Sequence, residues 1–214
     1  MSNSNIYDAD YFLRGKESGK SLYENYSWKP ELTIPMVETI LDHCGIYKSD
    51  HVLDFGCARG YTVKALRLLG YLGFGYDISK WAIDNCDPDV KNYVTLLNNT
   101  HKIGFKYDWI IAKDVLEHVE YVAGVIDDLM NCTNKGLFVV VPLSKFDKGK
   151  YVIEEYEKDI THIQRWTLDM WVSFFLRPGW SVQASYRMLG VKDNYYRPGW
   201  EWANGFLTVR KLTD

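Results

Sequence analysis

The sequence predicts an α/β fold: a doubly wound, mostly parallel seven-stranded sheet that ends in an antiparallel C-terminal hairpin. Three observations predict it. Short apolar runs alternate with helical stripes from Leu32 onward, and such alternation implies parallel strands joined by right-handed crossovers. The runs are almost continuously apolar, as strands covered on both faces are. Two further β-like runs, 180–189 and 205–212, close the chain and read as an added antiparallel pair.

The elements follow in order. From Leu32 to Cys44 the residues Val37, Ile40, Leu41 and Cys44 fall on one helical stripe, with Thr33 as the expected N-cap and Gly45 just past the end. HVLDFG (51–56) is a strand, and Val63, Leu66 and Leu69 line the helix after it, which Gly70 ends. Residues 71–78 form a strand and 79–86 a helix capped by Ser79. Strands are expected at 92–97, 107–114 and 136–142, with a helix near Val119–Cys132. The charges of 144–160 have both signs, which reads as a solvated loop and helix. Thr167 caps a helix over LDMWVSFFL, and the loop 190–204 between the last two strands is aromatic.

Residues 1–28 have no clear period but carry Tyr7, Tyr11, Phe12, Tyr23, Tyr26 and Trp28. Disordered tails are poor in aromatics. The expected organisation is therefore an aromatic arm or lid over 1–30 and one domain over 31–214. Tyr11 and Arg14 are expected to reach from the arm toward a bound cofactor or acceptor.

The 214 residues suffice for one full core. A net charge of −3 argues against broad electrostatic binding of nucleic acid or anionic membrane. No apolar run reaches the length of a membrane span. The four cysteines are widely spaced, with no CxxC or Cys/His cluster, so no metal is expected, and buried reduced thiols fit a cytoplasmic setting.

The chemistry is carried by Asp54-Phe-Gly56-Cys-Ala58-Arg-Gly60, between a strand and a helix. Glycines there permit a tight turn and close backbone approach to a ligand, and a branched side chain at Gly56 is expected to occupy that ligand's space. The acid at the strand end is unsuited to a pyrophosphate and suited to a cationic amino-acid moiety, which favours S-adenosylmethionine over NAD. Asp77 lies 23 residues after Asp54, at the end of the next strand, where an acid can accept from two ribose hydroxyls. Ile78 beside it offers an apolar face for adenine.

With these residues in view, the chain resembles the class I methyltransferase family over about 35–142. VLDFGCARG resembles its first glycine-rich motif, with Ala58 in place of the middle glycine. GYDIS resembles its ribose-binding motif, and YDWIIAKDVLEHV its fourth-strand motif, found in many small-molecule and lipid methyltransferases. The resemblance implies a Rossmann-like fold with S-adenosylmethionine as cofactor. It places Asp54, Gly56, Cys57 and Gly60 at the methionine portion, Asp77 at the ribose, Asn98 or Asn99 at the adenine amino group, and Lys113 and Asp114 near the sulfonium.

His118 and His162 are the candidate general bases. Either could also be structural: His118 as a helix-terminal residue packed beneath the cofactor, His162 as a loop residue bonded to backbone, with Asp159 and Arg165 nearby to orient it. The Asn-Pro-Pro-Tyr string of DNA amino methyltransferases is absent; Lys113-Asp114-Val115-Leu116 stands in its place. The expected activity is methyl transfer to a small-molecule, lipid or saccharide acceptor. The alternatives are an inactive binding protein of the same fold and a nicotinamide-dependent oxidoreductase.

Overall fold

The computed structural model describes residues 4–97, 103–145 and 149–212. Its centre is one seven-stranded sheet in the order β3-β2-β1-β4-β5-β7-β6. The strands are β1 (His51–Phe55), β2 (Leu72–Asp77), β3 (Val94–Leu96), β4 (Tyr107–Lys113), β5 (Thr133–Pro142), β6 (Trp180–Ser185) and β7 (Asn204–Lys211). The first five run parallel, and β7 lies antiparallel between β5 and β6.

Alternation along the strands divides the core between the two faces. Leu53, Ile110, Leu137, Val139 and Val141 point to one face, where they meet Ile126, Leu129, Trp171 and Phe175. These come from α6 (Val122–Asn131) and from α7 (Leu168–Ser173) with the turn after it. Val52, Trp109, Ile111, Phe138 and Val140 point to the other face. There they meet Val37, Ile40 and Leu41 of α3 (Pro30–Cys44) and Ala65 and Leu66 of α4 (Tyr61–Leu68).

Several ends differ from those the sequence suggests. α3 begins a turn before Thr33, with Pro30 in its first positions, where a missing N–H costs nothing; Gly45 does cap it in the left-handed region. α6 starts only at Val122, because residues 116–118 form a separate 3-10 turn. α7 stops at Ser173 and β6 at Ser185. The described part of 144–160 is not a solvated loop: Tyr151, Val152, Ile153 and Tyr156 are buried as one cluster with Ala203. Their alternation with Glu154, Glu155 and Glu157 hid them, since charge dominates a residue-by-residue reading.

The N-terminal segment lies on the domain. α1 (Ala9–Leu13) is capped by Asp8, whose carboxylate accepts from Tyr11 N at 3.1 Å, and a single turn, α2 (Gly15–Ser18), follows. Phe12 stacks on Trp81 at 5.4 Å. Trp81 belongs to α5 (Lys80–Asp84), capped by Ser79 as its sequence suggests.

The turn after β1 nests against β2. A Cβ at Gly75 would lie 2.6 Å from Cys57 Sγ and 2.8 Å from Cys57 Cβ. Gly75→Ala is therefore expected to destabilise the protein by roughly 1–3 kcal/mol through overpacking, read as a lowered urea midpoint with unchanged slope.

Candidate active site

In this strand order β1 connects to one side of the sheet and β4 to the other, so a crevice opens at their carboxyl ends. A cavity of about 600 Å³ lies there. Asp54, Gly56, Cys57 and Ala58 form one end of its wall, and Glu117, His118, Asp159 and His162 another. Lys113, Asp114 and Lys192 line it as well, and Tyr11, Tyr23 and Tyr26 of the N-terminal segment cover it.

The glycine-rich turn is held in left-handed conformations: φ is +82° at Gly56, +46° at Ala58 and +79° at Gly60. Ala58 thus pays a steric cost of roughly 1–2 kcal/mol where a glycine would pay none. Asp77 offsets it, accepting from Ala58 N and Ser79 N, each at 2.7 Å. Gly56 lines the cavity and also meets a packing demand. Its missing side chain makes room for Val115, since a Cβ there would lie 2.2 Å from Val115 Cγ2. Gly60 is kept small by Val90 rather than by the cavity.

Asp54 is buried. Burial, with Asp77 nearby, pushes its carboxyl up to about 7 against the opposing pull of Lys113 and Thr62. Asp77 is raised too by burial, while the amides of Ser79, Ala58 and Ile78 pull the other way. Asp77 and Ile78 are half-buried and lie outside the cavity wall, and Ser79 Oγ donates to Tyr7 O at 2.6 Å from the N-terminal segment.

At the ends of β4 and β7, Asp114 is gripped by two ammonium groups. Lys113 Nζ donates to one oxygen at 2.6 Å and Lys192 Nζ to the other. Burial would raise this carboxyl, but the two cations hold it well below the ordinary range. Lys192 also donates to Asn204 Oδ1 at 2.9 Å. No motif marked Lys192, which arrives from a loop 78 residues beyond Asp114.

Behind this pair, Tyr11 Oη donates to Asp159 Oδ2 at 3.0 Å, and Thr161 donates through both N and Oγ1 to Asp159 Oδ1. The one hydroxyl proton of Thr161 is thereby committed, so Thr161 Oγ1 accepts from His118 Nδ1 at 2.7 Å. His162 Nδ1 donates to Tyr156 O at 2.9 Å. The network assigns both imidazoles the same tautomer, with Nε2 a bare lone pair. Burial, with His162 beside it, pushes His118 down to about 4, and burial lowers His162. The two rings lie 4.7 Å apart.

The cavity thus unites Asp54, Gly56, Cys57, Lys113, His118, His162 and Tyr11. Arg14 is a correction: it points outward, 59% exposed, because Asp10 one helical turn earlier takes its guanidinium. Arg165 pairs with Glu157, not with His162. Asn98 and Asn99 lie outside the described residues.

An α/β sheet with a cavity at the β1/β4 switch point and an acid at the end of each of the first two strands has the arrangement by which open parallel sheets bind ligands. A family model described as a methyltransferase domain matches residues 34–185. The chain belongs to that family and is a class I, S-adenosylmethionine-dependent methyltransferase. The solved structures show the same fold at low identity. One is the plantazolicin methyltransferase BpumL in complex with a triazolic desmethylPZN analog and SAH (TM-score 0.62, 14% identity, 86% of each chain covered). Another is a chain of the Haloferax volcanii complex between the Trm112 methyltransferase activator and a methyltransferase (0.64, 15%, 100% of this chain and 99% of that one). A third is the YcgJ protein of Bacillus subtilis (0.61, 12%, 84% and 98%). No curated protein matches the sequence.

The raised Asp54 carboxyl gives the protein without ligand a defined pH dependence. Between about 4 and about 7 the folded state holds a proton that the unfolded chain releases. Asp54 therefore costs stability as pH rises through that window. Asp54→Asn is expected to flatten that part of the profile, on the order of 2–4 kcal/mol across the window, read by urea unfolding at pH 4.5 and 7.5.

Proposed function

We propose that the chain methylates a small-molecule, lipid or saccharide acceptor held between Lys192 and the His118–His162 pair, with the cofactor against the β1 turn. The cavity carries this reading, because it joins an anionic end at Asp54 to an end rich in hydrogen-bonding side chains around two neutral imidazoles.

The donor set fits the cofactor. A buried carboxylate with one distant cation, Lys113, is incompletely compensated, and an α-ammonium supplies the missing charge. Gly56 and Cys57 bring the backbone to the cavity at that end, and Gly60 closes the same turn. Asp77 accepts from the amides of Ala58 and Ser79, one on each oxygen, and its remaining acceptor capacity would take a ribose hydroxyl, with Ile78 following it beside the adenine. S-adenosylmethionine, when bound, supplies a methyl carbon made electrophilic by its sulfonium. The residues of the chain then mainly align the acceptor. His118 or His162 takes the acceptor's proton at Nε2 where it has one to lose. The small-molecule class rests on the covering Tyr11, Tyr23 and Tyr26, which narrow the entrance, and on the absence of an Asn-Pro-Pro-Tyr string.

Calorimetric titration with S-adenosylhomocysteine tests the cofactor assignment. Asp54→Asn and Asp77→Ala are each expected to lose roughly 1.5–3 kcal/mol of affinity, the scale of hydrogen bonds to charged groups. Unchanged binding in both variants, with circular dichroism retained, would remove these acids from the site.

The N-terminal segment acts as a lid in this reading. Asp77 lies beneath it, so the cofactor's ribose reaches its partner only when the segment moves. Hydrogen exchange over residues 7–28 is expected to slow on addition of S-adenosylhomocysteine. Equally slow exchange with and without ligand would make the segment a permanent part of the core.

A further inference from the structure

Glu117 lies in the cavity wall, and among the described residues its carboxylate makes no ion pair with a lysine or arginine. It is 1% exposed, and its Oε2 has no hydrogen-bond partner. Lys113 and Lys192 are both engaged by Asp114. A histidine stands close to Glu117: its Oε1 lies 3.9 Å from His118 Nε2. A buried carboxylate in that position is costly unless it is neutralised or paired.

Next to it stand two imidazoles prepared in the same way. Each Nδ1–H is spent on an oxygen, Thr161 Oγ1 for His118 and Tyr156 O for His162. That arrangement, a ring N–H fixed by an oxygen acceptor so that the second nitrogen presents its lone pair, is how metal-ligating histidines are held. Thr161 is itself fixed by Asp159, so His118 has a two-step support ending in a carboxylate. One ligand atom from each of Glu117, His118 and His162 can be chosen so that all lie within 4.8 Å of one another.

We propose that Glu117, His118 and His162 bind a divalent transition-metal ion of the zinc class, as a two-histidine, one-carboxylate site open to the cavity. Imidazole nitrogens with a carboxylate suit such ions better than magnesium or calcium, which prefer oxygen alone. Bond lengths near 2.0–2.2 Å would hold tetrahedral ligand atoms about 3.4 Å apart, so the side chains draw together by roughly 1 Å as the ion enters. Three protein ligands leave a coordination position facing the cavity, where an oxygen of the acceptor would bind. That use of the ion rests on the methyltransferase reading, and with the ion bound its oxygen ligand would replace the Nε2 lone pairs as the means of activating the acceptor; binding of the ion does not rest on that reading. The adjacent Glu117-His118 pair and a partner 44 residues later form no spacing pattern, and only the packing of the 156–165 segment on the 116–118 turn unites them, through the amides of Ile163 and Gln164 on Glu117 O, each at 3.0 Å.

The test uses the full chain, stripped with a chelator and titrated with cobalt(II) alone. The readout is visible d–d absorption, followed by displacement with zinc. One cobalt per chain is expected, with the intense spectrum of a four- or five-coordinate ion. Glu117→Gln and His162→Gln should each weaken binding by more than the roughly 10–100-fold that loss of a supporting group causes, and Thr161→Val by about that amount. Thr161→Val keeps all three ligands and so reads the site even where a ligand variant fails to fold. No saturable binding, or a weak six-coordinate spectrum that the three variants leave unchanged, would overturn the proposal. S-adenosylhomocysteine titrated into the same stripped protein separates the two readings, since its binding is expected to survive removal of the metal.

Discussion

Every feature of the cavity depends on the parallel pairing of β1 with β4. Leu53 sits opposite Ile110 and Asp54 opposite Ile111, and this register ends both strands at the same level. The chain leaves β1 toward β2 and β4 toward β5, on opposite sides. No crossover can cover the gap between them, so the crevice is a product of connectivity. Whatever side chains stand just past Asp54 and Lys113 must face it. An acid, two lysines and a second acid are fixed there by a sheet whose interior positions are fully buried on both faces.

The site is electrostatically uneven for the same reason. Asp114 receives hydrogen bonds from two ammonium groups and is held ionised, while Asp54 and Glu117, more deeply buried, receive none and are raised by burial. In a low-dielectric pocket such a difference is large. It divides the cavity into a compensated middle and two ends, each able to receive positive charge. One end fits the ammonium of an amino-acid moiety. The other adjoins two imidazoles whose outer nitrogens are bare. A cofactor and an acceptor approached from these two ends would meet over Lys113 and Asp114.

Glycine placement in the β1 turn follows packing as much as ligand approach. Gly56 yields space to Val115, Gly60 to Val90, and Gly75 of the neighbouring strand to Cys57. The residues that a motif reading assigns to the cofactor therefore also hold β1, β2 and the segment after β4 in mutual register. Asp77 joins the two roles: its carboxylate stabilises the left-handed Ala58 and lies where the cofactor's ribose is proposed to bind.

The sequence by itself determined the alternation of strands and helices through the first five strands, and it singled out the glycine-rich turn after β1 with the acids Asp54 and Asp77. These are local signals: periodicity two against 3.6, glycines where φ is positive, and an acid at a strand end. It also brought His118 and His162 forward, each because it follows a strand on the ligand-binding edge. It did not show that their rings lie 4.7 Å apart, that Lys192 grips Asp114, or that Glu117 is buried with one carboxylate oxygen unpartnered. Nor did it show that Tyr151 and Tyr156 are core residues within a charged run, or that Arg14 turns outward to Asp10. Apart from the local pairing of Arg14 with Asp10, those facts depend on which residues meet across roughly 40 to 80 positions of chain, and such meetings are decided by how loops dock on the finished sheet. Burial and partner choice, which set the charge and proton state of every group in the cavity, exist only once that docking is complete.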